Sequence, residues 1–242
     1  MRQSRIYSAQ SLSSAGTVEL SGQAGHYLTR VLRLSTGDLL TLFNGDGRDY
    51  SGEILAIQKQ AVTVRLGESR VAGNESPLKI TLVQAISRGE RMDYTLQKAT
   101  ELGVFSIQPV SSHRVEVRLD ERRKAKRLAH WQGVVISACE QSGRAVVPEV
   151  LPPCSLDEWL AVAAPCPRLV LDPEAEVKMS AMSIGVGELS ILVGPEGGFT
   201  PAELQELKES GVKPVSLGPR VLRTETAGPV AIAVLQTVAG DL

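Results

Sequence analysis

The chain has 242 residues, enough for one large domain or two small ones, and its 43% hydrophobic content is ordinary for a water-soluble globular protein. Cys139, Cys154 and Cys166 form no C-x-x-C pair, which argues against a disulfide framework and against a zinc site. The N-terminus lacks the apolar stretch of a signal peptide, and no apolar run is long enough to cross a bilayer. We therefore predict a cytoplasmic protein with no metal site and no membrane contact.

Charge is distributed unevenly, although the formal net charge is only −1. Residues 76–144 carry 12 basic and 7 acidic side chains, whereas residues 145–242 carry 6 and 13. A basic middle segment can hold a polyanion such as RNA on one face. The alternative is a solvated charged helix with no partner.

The pattern of residues 1–71 predicts short strands joined by polar turns. The β-prone runs are Thr17–Leu20, Asp38–Phe43, Asp49–Ala56 and Ala61–Leu66. One helical interruption is expected at His26–Leu34, and Asn44-Gly-Asp-Gly47 is typical of a hairpin turn. This segment predicts a small β domain, and residues 71–77 follow it as a linker.

After Leu78 the pattern changes to strands that alternate with helices. The predicted strands are Lys79–Ala85, Val104–Val110, Arg168–Leu171, Leu189–Val193 and Lys213–Leu217. The predicted helices include Arg91–Leu102 and the long Asp120–Gln141, whose first half is basic. Alternation of this kind predicts a parallel α/β sheet with helices on both faces.

Three helix starts have specific signals. Ser155 with Glu158 and Thr200 with Glu203 have the spacing of capping boxes, and Pro201 suits the first helical position. For the last helix we expect Thr226 as the N-cap. An N-cap at Thr224, the alternative, would place Pro229 beyond the first turn, where a missing N–H matters.

Two glycine-rich loops carry most of the functional information. They span residues 191–200 and 217–226, and each follows a predicted strand and precedes a predicted helix. Neither has the lysine of a P-loop, and Gly185-Val-Gly187 precedes a strand instead of following one, so it is not a dinucleotide fingerprint. Glycine lets a backbone approach a ligand closely, so the loops could wrap a flat ring and a ribose. The alternative is a pair of tight turns with no ligand.

Five segments together resemble one family. They are His26–Leu34, Glu90–Gly103, Glu140–Arg144, Gly194–Thr200 and Leu217–Ala227. Over nearly the whole chain they are similar to the RsmE-type 16S ribosomal RNA methyltransferases, members of the SPOUT class.

The resemblance implies a PUA-like β-barrel over residues 1–72 that binds RNA. A SPOUT α/β domain with a trefoil knot is implied over residues 73–242. It further implies S-adenosylmethionine (SAM) as cofactor, a homodimer, and 16S ribosomal RNA of the small subunit as partner. The implied activity is methylation of N3 of a single uridine, of the type numbered 1498.

The same resemblance implies site residues. Those expected to hold SAM are Leu171, Val193, Gly194, Pro195, Glu196, Gly198, Leu217, Gly218, Val221, Leu222 and Thr224. The residues expected to contact RNA are Arg30, Arg33, Arg88, Arg91, Arg114 and Arg144, with Arg118 and the run Arg122–Arg127 as further basic candidates.

Arg223 and Glu225 are the predicted catalytic residues because they flank the end of the second loop. Arg223 would stabilise the developing uracil oxyanion, and Glu225 would orient it or accept the proton through water. The alternative is an exposed ion pair at a helix start. His113 stands where the family usually has an acidic residue, and Gly228-Pro229 replaces a small apolar run.

Two other functions stay open at this point. A related SPOUT enzyme would act on transfer RNA or on a ribose hydroxyl, and an RNA-binding assembly factor would retain the fold without activity. The sequence leaves undetermined the target nucleotide, the group that accepts the proton, and whether free RNA or the assembled subunit is the substrate.

Overall fold

The computed structural model describes residues 4–59, 61–114, 121–162 and 166–242, so Arg118 lies outside the described residues. Two compact units are present. The N-terminal unit contains residues 1–75 and 139–147, and the C-terminal unit contains residues 76–138 and 148–242. The domain boundary between residues 72 and 73 stays a prediction.

The N-terminal unit is built on a five-stranded sheet. Its strands are β1 (Ser4–Tyr7), β2 (Thr17–Leu20), β3 (Leu39–Phe43), β4 (Arg48–Gln58) and β5 (Ala61–Val71). Their order is β1-β3-β4-β5-β2, and every pair is antiparallel except β1 with β3. Alternate apolar side chains of these strands, such as Leu40, Leu42, Val62 and Val64, form one buried cluster.

Two features of this unit differ from the prediction. The strand β1 was not predicted, because Ser4 and Arg5 are not β-prone residues; the Arg5 side chain pairs with Asp49 inside the unit. The expected helix at His26–Leu34 begins earlier, as helix α1 (Gly22–His26), and continues as a π-helical turn (Tyr27–Val31).

The C-terminal unit is built on a parallel sheet. Its strands are β6 (Lys79–Ala85), β7 (Ser106–Ser111), β8 (Glu149–Val150), β9 (Cys154–Ser155), β10 (Arg168–Leu171), β11 (Glu188–Val193) and β12 (Lys213–Val215). Its helices are α2 (Glu90–Glu101), α4 (Leu156–Ala161), α5 (Pro201–Glu209) and α6 (Thr224–Ala239), with a 3₁₀ turn at Met179–Ala181. Helix α3 (Glu121–Ser142) starts in this unit, and its last residues belong to the N-terminal unit. The strand order β12-β10-β11-β6-β7-β8 places β11 beside the much earlier β6.

Helices cover both faces of this sheet, as predicted. Successive side chains of a strand point to opposite faces. Val83 and Ala85 of β6 pack in a cluster with residues of α4 and α5, including Leu156 and Leu207. The intervening Gln84 faces Gly228 of α6 on the other side. The parallel α/β sheet is therefore confirmed.

The helix starts give a mixed outcome. Both capping boxes are present, with Ser155 and Thr200 as N-caps. The predicted N-cap at Thr226 is wrong, since α6 begins at Thr224 with Arg223 as N-cap and contains Pro229 in its interior. The Thr224 hydroxyl is hydrogen-bonded to the Gly194 carbonyl, and the buried Pro229 lacks the N–H of a normal helical residue.

Candidate active site

A cavity of about 710 Å³ lies where the strands β10, β11 and β12 end. The carboxyl ends of neighbouring parallel strands meet at one edge of a sheet, which is where open α/β sheets bind ligands. All the predicted SAM-binding residues line this cavity, as do Arg223 and Glu225. The order β12-β10-β11 explains this, because it brings the loops after β11 and β12 to the same edge.

The first loop is held in a tight path. Gly198 has φ +66°, a conformation that favours glycine, and its N–H donates to the Pro195 carbonyl at 2.9 Å. Gly194 is required for space, since a Cβ there would lie 3.0 Å from Cε2 of Phe199. The Thr224 hydroxyl donates to the Gly194 carbonyl at 2.7 Å, which ties the first loop to the start of α6.

The second loop contributes an apolar wall. Gly218 has φ +132°, so it also adopts a backbone conformation rare for other residues. Val221 is 80% exposed although it lines the cavity, and Leu222 is partly buried. An exposed apolar side chain at the rim of a cavity suits a ligand with an apolar face.

Glu225 lies between two guanidinium groups. Its Oε1 is 4.0 Å from Nη1 of Arg223 and 3.9 Å from Nε of Arg91. Arg91 also donates through Nη1 to Oε1 of Glu196, 3.0 Å away. The Glu225 side chain is only 17% exposed, whereas that of Arg223 is 77% exposed. The carboxylate thus lies in the wall of the cavity near both guanidinium groups, at distances longer than a hydrogen bond, and the Arg223 side chain is largely exposed.

The loop after β7 is fastened to the first glycine-rich loop. Arg114 donates through Nη1 to the Gly197 carbonyl at 2.7 Å, and the His113 N–H donates to Oε1 of Glu203, also at 2.7 Å. Burial raises the pKa of Glu203, but hydrogen bonds from the His113 and Thr200 N–H groups outweigh it, so that the pKa is lowered from its ordinary value. Glu203 therefore caps α5 and links the loop after β7 to the end of the first glycine-rich loop.

A second cavity, of about 650 Å³, adjoins the first and is basic. It is lined by Arg88, Gly89, Arg91, Arg114, Glu196 and Gly197. Arg91, Arg114 and Glu196 line both cavities. Three predicted RNA contacts, Arg88, Arg91 and Arg114, are thus brought together beside the predicted cofactor loops.

The other predicted RNA contacts lie in the N-terminal unit. Arg30 and Arg33 are exposed there. Arg144 requires a correction, since it is 4% exposed and its Nε donates to Oε1 of Glu75 at 3.0 Å. The Glu75 carboxylate and burial occupy this guanidinium, so Arg144 is a structural residue and is not available to RNA.

Sequence reasoning missed one side of the cavity. Asp172, Pro173 and Glu174, which follow β10, line it together with Arg220. The available signal was an acidic pair directly after a buried strand. That signal becomes informative only once β10 is known to lie between β11 and β12.

Two kinds of feature are absent from the described residues. Among them, no three His, Cys, Asp or Glu side chains are grouped so as to hold a metal ion. No helix within the same residues combines the length and apolar character needed to cross a membrane.

Comparisons with known proteins agree with this architecture. Residues 74–236 match the model of an RNA methyltransferase domain, and residues 20–67 match that of an RNA methyltransferase PUA domain. The ribosomal RNA small subunit methyltransferase E of Buchnera aphidicola is 34% identical over 98% of this chain and 94% of its own length.

Solved structures are similar over the whole chain. A methyltransferase of Legionella pneumophila in complex with the bound cofactor SAM has a TM-score of 0.97 and 40% identity, covering 100% of both chains. The ribosomal RNA small subunit methyltransferase E of Neisseria gonorrhoeae, bound to S-adenosyl methionine, has a TM-score of 0.94 and 44% identity over 99% of both chains.

The family models and the parallel sheet define a SPOUT-type RNA methyltransferase with a PUA-like N-terminal domain, which confirms the predicted fold class. Within that class, the chain belongs to the ribosomal RNA small subunit methyltransferase E family, RsmE. The predicted resemblance is confirmed.

Proposed function

We propose that this protein methylates N3 of a single uridine in 16S ribosomal RNA, with SAM held by the two glycine-rich loops. As a member of its family the chain is a SAM-dependent ribosomal RNA methyltransferase of the small subunit. The uridine N3 target, the residue roles, the homodimer, the trefoil knot and the cytoplasmic location are our proposals. The observation that carries the proposal is the meeting of both loops with Arg223 and Glu225 around one cavity.

The cavity fits SAM in size and chemistry. Its volume of about 710 Å³ falls within the range of about 300–1,000 Å³ typical of small-molecule sites. Leu171, Leu217, Val221 and Leu222 offer apolar surface for an adenine ring, and Gly194 and Gly218 open the backbone to close approach. When bound, SAM supplies an electrophilic methyl group.

The charged lining follows strand order only in part, because Arg220 and Arg223 follow β12, on the same side of β11 as the acidic residues after β10. Four arginines and four acidic residues line the cavity. Asp172 and Glu174 follow β10, on one side of β11, whereas Arg91 and Arg114 follow β6 and β7, on the other side. The polyanionic RNA suits the side with Arg91 and Arg114, where the second cavity lies.

Arg223 and Glu225 are placed to handle the uracil ring. The N3 position of uridine carries a proton at neutral pH, so methylation requires its removal and produces negative charge on the ring oxygens. The exposed Arg223 guanidinium would stabilise that charge. Glu225, held between Arg223 and Arg91, would orient the guanidinium and accept the proton through water.

The decisive experiment is methylation of small ribosomal subunits that lack the modification, with labelled SAM, followed by nucleoside mapping. A single 3-methyluridine would support both reaction and substrate. Label at a ribose hydroxyl or in transfer RNA would overturn the proposed substrate. Absence of label despite measured SAM binding would favour an RNA-binding assembly factor. The same assay with free 16S RNA shows whether the substrate is the free RNA or the assembled subunit.

The homodimer requires its own measurement. Light scattering coupled to gel filtration is expected to give twice the mass of the 25.9 kDa chain. A monomeric mass that is independent of concentration would contradict the proposed dimer without affecting the proposed reaction.

A further inference from the structure

We propose that Gln84 is a positioning residue that sets the first glycine-rich loop for SAM by acting through the Thr224 hydroxyl. The proposal rests on the proposed function, because it assumes that this loop holds SAM. Gln84 lies in none of the cavities described above, and its effect would pass through a chain of hydrogen bonds from β6 to α6 to the end of β11.

Gln84 is an amide in an otherwise apolar place. It sits near the end of β6 and is 0% exposed. Its Nε2 donates to the Ala85 carbonyl at 3.1 Å and to Oγ1 of Thr224 at 3.0 Å. A buried amide is costly unless it is hydrogen-bonded, and the two hydrogen bonds donated by the Gln84 amide offset part of that cost.

Proton counting fixes the direction of each bond. The Thr224 hydroxyl has one proton, and the Gly194 carbonyl, 2.7 Å away, can only accept. The hydroxyl must therefore donate to Gly194 and accept from Gln84. Gln84 must in turn present its NH₂ group to Thr224, so its amide orientation is determined by the loop.

The position of the Gln84 amide oxygen accounts for the glycine at position 228 of α6. Oε1 of Gln84 is buried and has no hydrogen-bond partner. It faces Gly228 of α6, where a Cβ would lie 3.2 Å away, tighter than nine in ten real Cβ contacts. Gly228 thus leaves room for the amide in the single orientation that proton counting allows, which gives a physical reason for a residue that departs from the family pattern.

Two consequences follow for the cofactor site. The Thr224 hydroxyl proton is engaged with Gly194, so Thr224 contributes to the site through position instead of by donating to SAM. The Gly194 carbonyl is fixed at the exact point where β11 ends and the first loop begins. Loss of Gln84 would release both Thr224 and Gly194 while leaving every side chain in the cavity present.

The test is a double-mutant cycle read by SAM binding. Gln84→Met removes the amide protons while retaining the side-chain length, and Thr224→Val removes the hydroxyl. We expect each to raise the Kd for SAM about tenfold, the effect of about one hydrogen bond. For Gln84→Met, which changes no residue that lines either cavity, kcat at saturating SAM should change by less than about twofold. In the double variant the Kd for SAM should also rise about tenfold, and not about a hundredfold, because both substitutions break the same series of hydrogen bonds.

Two controls separate positioning from general damage. Thr224→Ser retains the hydroxyl and should bind SAM as the wild type does. Thr237→Val makes the same substitution on an exposed residue of α6 whose hydroxyl donates only within the helix, to the Ala233 carbonyl at 2.8 Å, and should change nothing. If Gln84→Met fails to fold, unchanged SAM affinity in Thr224→Val still overturns the proposal, because the effect of Gln84 is proposed to pass through that hydroxyl.

The outcomes distinguish this proposal from the proposed function. If the wild-type protein binds SAM and the Gln84→Met and Thr224→Val variants bind it with the same affinity, the proposed role of Gln84 is wrong and the proposed function is unaffected. Multiplied effects in the double variant would overturn the proposed role of Gln84 as well. If the wild-type protein does not bind SAM, the proposed function is wrong, and the proposed role of Gln84, which depends on it, is wrong too.

Discussion

The carboxylate of Glu203 accepts a hydrogen bond from the backbone N–H of His113, with Oε1 and N separated by 2.7 Å. Its other oxygen accepts from the Thr200 N–H, also at 2.7 Å. One side chain therefore caps α5 and holds the loop that carries Arg114. Because this contact uses the backbone of position 113, it does not depend on which side chain stands there. This accommodates a histidine where the family usually has an acid.

Glu203→Gln should destabilise the protein by about 1–2 kcal/mol at pH 7, since an amide cannot accept both hydrogen bonds. The lowered pKa of Glu203 fixes the pH dependence. A carboxyl group whose pKa is lowered by folding stabilises the folded protein at pH values above its ordinary pKa of 4.5. This stabilisation is lost as the pH falls through the folded-state pKa. Urea unfolding at a series of pH values should show the variant and wild type converging in acid. Glu206→Gln, on the same helix and exposed, is the control. If the difference in unfolding free energy between Glu203→Gln and the wild type did not change with pH, the proposed pH dependence would be wrong.

Arg223→Ala should lower kcat by about a hundredfold, because it removes a donor aimed at charge that develops only in the transition state. The Kd for SAM should stay within about twofold, and stability within about 0.5 kcal/mol, since the side chain is largely exposed. Single-turnover rates with saturating RNA and SAM give the measurement, and Lys213→Ala is an exposed control on β12. Wild-type turnover in Arg223→Ala would remove the catalytic role.

Gly194→Ala should weaken SAM binding and destabilise the protein by about 1–3 kcal/mol through overpacking. The reason is spatial, since the new Cβ would lie 3.0 Å from the Phe199 ring. Phe199→Leu in the same chain should restore part of the affinity, as measured by calorimetric titration of SAM. Gly185→Ala is the matched control, because a Cβ there meets nothing within 4 Å. Equal effects at positions 185 and 194 would contradict the assigned cause.

Gly228→Ala should lower the melting temperature of the wild-type protein, although alanine is favoured over glycine in a helix interior by about 1 kcal/mol. The Gln84 amide cannot retreat from the new Cβ without losing its bond to Thr224. In a Gln84→Ala background the same substitution should raise the melting temperature. A change of the same sign in both backgrounds would refute the steric pairing of positions 84 and 228.

Arg88→Ala and Arg114→Ala should each reduce by about one the slope of log K for RNA binding against log salt concentration. Arg144→Ala should leave the slope unchanged and destabilise the protein by about 1–3 kcal/mol, because it removes a buried side chain and the partner of the partly exposed Glu75. Filter binding over a range of salt concentrations, with urea unfolding of the same variants, separates the two effects. A reduced slope in a stable Arg144→Ala variant would restore Arg144 as an RNA contact.

Local signals in the sequence predicted local structure well. The capping boxes at Ser155 and Thr200 and the strand ends around Gly194 and Gly218 depend on residues close together in the chain. The N-cap of α6 was wrong because the Thr224 hydroxyl is engaged by Gly194, thirty positions away. No local rule can supply such a contact.

Long-range pairing set the other limit on prediction. Strand β1 depends on β3 as a partner and on the distant Asp49, neither of which its own residues indicate. Asp172 joins the site only because β10 lies between β11 and β12. Burial of Arg144 likewise depends on Glu75, so an arginine in a family motif was mistaken for a ligand contact.

Val221 has a thermodynamic consequence for ligand binding. Its side chain is 80% exposed at the rim of the cavity, so a ligand that covers it removes apolar surface from water. Removal of apolar surface lowers the heat capacity of the complex relative to its free components. As temperature rises, the enthalpy of binding therefore becomes more favourable and the entropy of binding less favourable, and both trends are steepest for the ligand that covers most of this apolar surface.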